Sequence, residues 1–168
     1  MSPFRVSVLL FLFASSSPSW AGPDDRALSV AAGFSTYLVE DSGAPGLHLG
    51  VEYDRGLTNS VWLHAQLALG THFGDGDIKS GSAMVSLRYA LDVIKYVPYV
   101  DLGAGAALFT ENSRFNTQVE PMIRVGLGLD ILTSRRFSYG VYARFDSFLS
   151  DSGLFTAGLR GSYRWGFF

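Results

Sequence analysis

The sequence predicts an all-β protein, an eight-stranded antiparallel up-and-down transmembrane β-barrel. Apolar and polar residues alternate with a period of two in eight segments, and turn-forming residues separate these segments. In each segment the charged residues share one face and the large apolar residues share the other. The composition agrees, because 19 glycines and 14% aromatic residues stand beside very few lysines, a mixture typical of strands that face lipid.

The eight segments follow one another with short polar connections. Their apolar faces run Leu28–Leu38, Leu47–Tyr53, Val61–Leu69, Val85–Val93, Val100–Ala106, Val119–Ile131, Phe137–Phe145 and Phe155–Phe167. Clusters of Gly, Asp, Asn and Ser between them, such as residues 40–43 and 150–153, are predicted turns. An even number of strands brings both termini to one end of the barrel, which for an exported barrel is the periplasmic end.

The N-terminal segment predicts export. Arg5 precedes an apolar run from Val6 to Ala14, and small residues follow up to Ala21. This run is shorter than the roughly 20 apolar residues that a spanning helix needs, and it is typical of a signal peptide. We therefore expect a signal peptide at residues 1–21 and one barrel domain at residues 22–168. Charges and glycines interrupt every later apolar stretch, so strands must cross the membrane.

Charge and cysteine content exclude several classes of protein. Removing Arg5 from the 13 Lys and Arg leaves 12 of them against 15 Asp and Glu, with no basic block. We therefore expect no nucleic-acid partner. The absence of cysteine excludes disulfides and thiolate metal sites, so backbone hydrogen bonds and packing must hold the exported domain together.

The direction of the two faces decides between a membrane barrel and a soluble one. A soluble ligand-binding barrel would bury the apolar face and expose the charged one. The opposite orientation fits better, because a narrow lumen has no room for so many large aliphatic and aromatic side chains. We predict an apolar surface against lipid and a lumen in which arginines and carboxylates neutralise one another. The predicted lumen network comprises Glu52, Asp54, Arg88, Asp92, Asp101, Glu120, Arg124, Asp130, Arg144, Asp146, Arg160 and Arg164.

The size of the barrel predicts a lumen without an open channel. An eight-stranded barrel is just wide enough inside for side chains to fill it. Inward glycines such as Gly126 and Gly128 leave room beside long side chains. Aromatic residues near strand ends, among them Phe34, Tyr53 and Tyr163, predict aromatic girdles at both membrane interfaces.

Two segments resemble known proteins. The last strand ends in Tyr163, Trp165, Phe167 and Phe168, which resembles the C-terminal assembly signal of outer-membrane barrels. The stretch 96–105, with its Pro-Tyr and Gly-x-Gly pattern, is similar to a strand of small eight-stranded barrels such as the transmembrane domain of outer-membrane protein A and outer-membrane protein X. The resemblance implies location in the bacterial outer membrane, contact with its lipid and lipopolysaccharide, and insertion by the barrel-assembly machinery.

No residue pattern identifies a catalytic or metal site. Some barrels of this size modify lipopolysaccharide, either as palmitoyl transferases or as deacylases with a lipid-facing His-x-Ser pair and a carboxylate. Neither His48, His64 nor His72 begins a His-x-Ser pair, and all three fall on the inward face. With Glu52 or Asp54 they could ligate a metal, but we interpret them as histidines hydrogen-bonded within a polar lumen. We therefore predict no catalytic residue, no cofactor and no metal.

The predicted function is that of an integral outer-membrane barrel with a plugged, charge-paired lumen. Its role in the cell envelope is structural or one of interaction, with a partner that the sequence does not name. Three alternatives stay open: a narrow conduit for a small solute, a lipopolysaccharide-modifying enzyme, and a soluble secreted ligand-binding barrel.

Overall fold

The fold is a single closed barrel. A computed structural model describes residues 25–39, 42–73, 78–91, 95–111 and 117–166. Each strand pairs antiparallel with its neighbours in the chain, and β8 closes the barrel against β1, which confirms the predicted fold class. The strands are β1 Arg26–Val39, β2 Ser42–Gly56, β3 Val61–His72, β4 Ile78–Ala90, β5 Tyr96–Glu111, β6 Thr117–Leu132, β7 Phe137–Phe148 and β8 Ser152–Trp165. The described residues include no helix that is long and apolar enough to span a membrane. The predicted signal peptide lies outside them and stays a prediction.

The strand bounds differ from the predicted ones mainly at the end away from the termini. β2 begins at Ser42 and β8 at Ser152, both of which the sequence predicted to lie in turns. β4 begins at Ile78 and ends at Ala90, although alternation predicted its start near Val85. Residues 78–84 include small and polar side chains without apolar alternation, yet their backbone pairs with both β3 and β5. Ladder hydrogen bonds come from the backbone, so strand can continue where the side-chain signal fades.

Side-chain direction follows the period-two alternation, with the apolar residues outside. On β3, Leu67 and Leu69 are 68% and 69% exposed, whereas Ala68 between them is 6% exposed. The polar residues His64 and Gln66 are buried on the same inward face. An apolar exterior around a charged interior is the reverse of a water-soluble barrel and is typical of one that faces lipid.

The lumen is filled at three levels. The end that carries the start of β1 and the end of β8 is called the terminal end here. Next to it lies the terminal cluster, which consists of Trp62, Ala90, Val97 and Tyr99. Near the opposite end lies the outer cluster, which consists of Met84, Ala107, Phe109, Met122, Phe148 and Leu154. The sequence did not predict these two clusters. A layer of charged residues lies between them.

Candidate functional site

The central charged layer is the candidate functional site. Its ionisable side chains are Glu52, Asp54, Asp101, Asp130, Asp146, Arg88, Arg124, Arg144, Arg160 and Arg164, five carboxylates and five guanidinium groups. All are buried except Arg164, whose side chain is 16% exposed at the terminal end. The equal numbers of opposite charges let each buried ion be paired, which a low-dielectric interior requires.

Glu52 lies where three arginines meet. Its carboxylate is 2.6 Å from Arg144 Nη2, 3.3 Å from Arg160 Nη1 and 3.9 Å from Arg88 Nη2. Gln66 Nε2 donates a further hydrogen bond of 3.3 Å to its Oε1 atom. Glu52 has no exposed surface, so its charge is balanced by these neighbours alone.

Asp54 lies two residues further along β2 on the same inward face. Arg88 Nη1 donates to both of its oxygens, at 2.9 Å and 3.1 Å. The His64 Nδ1–Asp54 Oδ1 distance is 2.7 Å, and Arg160 Nη2 lies 3.4 Å from Oδ2. Asp54 and Glu52 therefore share Arg88 and Arg160, which joins the ion pairs into one network.

The other carboxylates extend this network around the lumen. Arg124 holds Asp146 in a two-pronged contact through Nε and through Nη2, the latter at 2.7 Å. The same guanidinium also donates to the Gln66 side chain. Asp101 pairs with Arg88 at 3.4 Å, and Asp130 bridges Arg160 and Arg164 at 3.3 Å and 3.6 Å. Two-pronged contacts are the geometry that arginine offers and lysine does not.

Two tyrosine rings cover the guanidinium planes. The Arg88 Cζ atom lies 4.3 Å from the Tyr99 ring centroid, and Arg160 contacts the same ring at 5.2 Å. Arg144 lies 4.3 Å from the ring centroid of Tyr142. These cation–π contacts stabilise arginines that are removed from water. Tyr142 was not predicted from the sequence as a lumen residue, although it has the same inward phase as Arg144 two residues later.

Two glycines supply the space for these side chains. A Cβ at Gly126 would collide with the Asp101 carboxylate, and one at Gly128 would collide with the Tyr99 ring. Any other residue at these positions would therefore displace a network member. This is the role that the sequence analysis predicted for inward glycines.

The predicted network residues do not all lie in this layer. Glu120 points inward but lies nearer the opposite end, where Gln118 Nε2 and Ser150 Oγ donate to it at 2.8 Å and 2.5 Å. Within the part of the chain that the structure describes, no arginine lies within ion-pair distance of Glu120, so its inclusion in the network was wrong. Alternation predicted its face correctly but gave no information on its height in the lumen. Asp92 lies outside the described residues.

The histidines lie inside the barrel, at different heights. His64 contacts Asp54, whereas the Tyr142 Oη–His48 Nδ1 distance is 3.3 Å and the Ser35 Oγ–His72 Nε2 distance is 3.1 Å. Potential metal-ligating atoms of Glu52, Asp54 and His64 do lie within 4.8 Å of one another. Arginines already contact both carboxylates, and their positive charge opposes a cation there. The donor set therefore favours ion pairing with arginine over metal binding.

The predicted assembly signal is described only in part. Tyr163 and Trp165 point outward at the terminal end, whereas Phe167 and Phe168 lie outside the described residues. Recognition by the assembly machinery therefore stays a prediction. Exposed aromatic residues lie toward both ends of the barrel, Tyr53, Phe137 and Tyr163 at the terminal end and Phe73, Phe145 and Phe155 toward the opposite end, which agrees with the predicted girdles.

The closed barrel, its apolar exterior and its charged lumen define the class of small outer-membrane β-barrel proteins. The fold is similar to that of Ail, the attachment invasion locus protein of Yersinia pestis, with a TM-score of 0.62 at 17% identity over 84% of this chain and 99% of that one. It is also similar to Neisserial surface protein A, with a TM-score of 0.68 at 15% identity over 81% of this chain and 95% of that one. The outer membrane enzyme PagL gives a TM-score of 0.55 at 16% identity, covering 82% and 98% of the two chains.

A sequence profile identifies the family. The profile described as lipid A 3-O-deacylase (PagL) matches residues 42–147, so the chain belongs to this family. A search of curated proteins gave no match. Together with the solved structures, the family confirms location in the bacterial outer membrane, where the apolar surface contacts lipid. The soluble ligand-binding barrel is thereby excluded.

Proposed function

We propose that this protein is a structural β-barrel of the outer membrane with a closed lumen and no lipid A hydrolase activity. The observation that carries the proposal is the filling of the lumen at three levels, by the terminal cluster, the charged layer and the outer cluster. A solute path would need the ion pairs of Glu52 and Asp54 to separate, and separating buried pairs costs several kcal/mol. This energetic cost argues against an open path for a small solute in the resting state of the barrel.

Conductance in planar bilayers tests the closed lumen. We expect no stable single-channel steps from the purified, refolded barrel, because the terminal cluster, the charged layer and the outer cluster fill the lumen. A large porin added to the same bilayer serves as the positive control. Reproducible steps that scale with the amount of barrel would contradict the proposal.

Hydrolysis of lipid A is the second candidate function, and the family match favours it. A deacylase of this family type needs a histidine and a serine that face the acyl chains. The chain has three histidines, His48, His64 and His72, and their exposed fractions are 8%, 0% and 0%, all inside the barrel. None of them can reach an ester bond of a lipid outside the wall, and no His-x-Ser pair occurs in the sequence. These facts support the proposal that this member of the family does not hydrolyse lipid A.

Mass spectrometry of lipid A tests the second candidate. The protein is expressed in a Gram-negative host whose lipid A carries a 3-O-acyl chain, and the enzyme PagL is expressed in parallel as the positive control. We expect unchanged lipid A from cells with this protein and loss of one acyl chain in the control. Loss of an acyl chain in both would overturn the proposal and would require a catalytic base other than histidine.

A further inference from the structure

Three arginines and a tryptophan line the lipid-facing edge of the terminal end. Arg26, the first residue of β1, is the backbone partner of Arg55 in β2 and of Trp165 in β8. The turn 133–136 contributes Arg135, and it lies against the end of β8 because the Arg164 amide donates to the Arg136 carbonyl at 2.7 Å. Arg26, Arg55 and Arg135 are exposed. We call Arg55, Arg26, Trp165 and Arg135 the basic row.

A cluster of aromatic rings lies next to the basic row on the membrane side. The rings of Tyr163 and Phe137 are 5.1 Å apart, those of Tyr163 and Trp165 5.9 Å, and those of Tyr53 and Trp165 6.4 Å. Amphipathic aromatic side chains prefer the level of lipid headgroups. The basic row therefore lies at the headgroup level or just beyond it.

A depression in the wall continues from the aromatic cluster toward the membrane centre. Gly161 of β8 is exposed, and a Cβ built on it would meet no atom within 4 Å. Its backbone partners Val30 and Tyr139 are 54% and 56% exposed and form the sides of the depression. Leu159, two residues further along, is 68% exposed. These apolar surfaces fit an acyl chain that runs along β8.

Among the residues that the structure describes, the exposed charge of this edge is positive. The nearby described carboxylates, Asp25, Asp54 and Asp130, are buried, with exposed fractions of 4%, 3% and 3%. At the opposite edge, among the residues that the structure describes, Lys79 is the one exposed basic side chain. The positive charge at the lipid-facing surface is therefore concentrated at the terminal end.

We propose that the basic row and the depression at Gly161 bind an anionic phospholipid of the inner leaflet. The phosphate lies among Arg26, Arg55 and Arg135, the glycerol region contacts the rings of Tyr163 and Trp165, and one acyl chain lies over Gly161. Arginine donates to phosphate through two parallel hydrogen bonds, and an anionic lipid adds charge complementarity that a zwitterionic lipid lacks. The site is independent of the lumen and of any hydrolase activity.

Trp165 provides a built-in probe for the experiment. The mature protein is reconstituted in phosphatidylcholine vesicles that contain a fixed fraction of a lipid brominated near the headgroup end of its chains, either phosphatidylglycerol or phosphatidylcholine. Bromine quenches tryptophan by contact, and Trp62 contributes only an unquenched background because it is buried in the lumen. We expect phosphatidylglycerol to bind more strongly than phosphatidylcholine, by about five-fold per arginine engaged, since each arginine near an anionic lipid contributes about 1 kcal/mol.

Two variants decide whether the basic row is responsible. The triple variant Arg26→Gln, Arg55→Gln, Arg135→Gln should quench equally with both lipids, and Lys79→Gln should retain the preference of the parent protein. Heat-modifiable gel mobility verifies that each variant is folded. Equal quenching by both lipids in the parent protein would overturn the proposal, as would a loss of preference in Lys79→Gln. Displacement of phosphatidylglycerol by lipid A at equal concentration would also overturn it, because the site would then not be specific for phospholipid.

Discussion

Replacing Glu52 with glutamine tests the charged layer most sharply. Glutamine keeps the volume of the side chain, so no cavity forms, but it removes the one negative charge that three arginines share. The distances of 2.6, 3.3 and 3.9 Å to Arg144, Arg160 and Arg88 mean that all three lose a partner at once. The layer then holds four carboxylates against five guanidinium groups.

The expected loss follows from the burial of the site. Removing one partner of a buried ion pair costs about 3–5 kcal/mol, because the remaining charge is left without compensation. Glu120 provides the matched control, since it is also buried but, among the described residues, accepts side-chain hydrogen bonds from the uncharged Gln118 and Ser150 and from no arginine. For Glu120→Gln we expect a loss of about 1 kcal/mol, the usual contribution of one hydrogen bond. The double variant Glu52→Gln, Arg144→Gln should regain part of the loss.

Reversible unfolding in denaturant measures these differences. The free energy of unfolding is obtained in detergent micelles or thin bilayers from tryptophan fluorescence, with gel mobility as an independent measure of the folded fraction. A loss for Glu52→Gln that is within about 1 kcal/mol of the loss for Glu120→Gln would refute the reasoning. In that case Arg144, for which Glu52 is the one carboxylate within ion-pair distance among the described residues, would be balanced by another group.

Two further predictions use the same unfolding assay. Leu67→Arg places a charge at the middle of the lipid-facing wall and should lower the free energy of unfolding by about 2–4 kcal/mol. Leu149→Arg, in an exposed turn, should lower it by about 0–1 kcal/mol. Equal losses would mean that Leu67 does not face lipid. Gly128→Leu should lower the free energy of unfolding by about 1–3 kcal/mol, because the new side chain collides with Tyr99. Gly161→Ala faces open space and should leave this free energy unchanged. An unchanged value for Gly128→Leu would show that the lumen is packed less tightly than the contacts around Tyr99 indicate.

The sequence predicted the faces of the strands well and their heights poorly. Period-two alternation assigned Glu52, Arg88 and Asp101 to the inside because a one-residue change of phase would move every side chain to the other face. The partners of Glu52 could not be predicted in this way. Arg144 and Arg160 come from β7 and β8, and their contacts across the lumen depend on the stagger of the strands around the barrel.

The two apolar clusters were missed for a different reason. Met84 and Phe109 have the inward phase of their strands, so alternation alone could have placed them in the lumen. The lumen was predicted as a network of charges, and inward positions were not searched for groups of apolar side chains. The position of Glu120 was missed for another reason: it lies on the same strand face as Arg124 but at the level of the outer cluster, and alternation gives the face of a residue without its height in the lumen.

Site-directed spin labelling along β3 tests the orientation of the wall most directly. The chain has no cysteine, so Leu67→Cys, Ala68→Cys and Leu69→Cys can each be labelled specifically in bilayers. We predict high collision rates with oxygen, which is soluble in lipid, at positions 67 and 69 and low rates with both oxygen and a water-soluble nickel complex at position 68. High accessibility to oxygen at position 68, or access of the nickel complex to positions 67 and 69, would contradict a lipid-facing apolar wall around a closed, charged lumen.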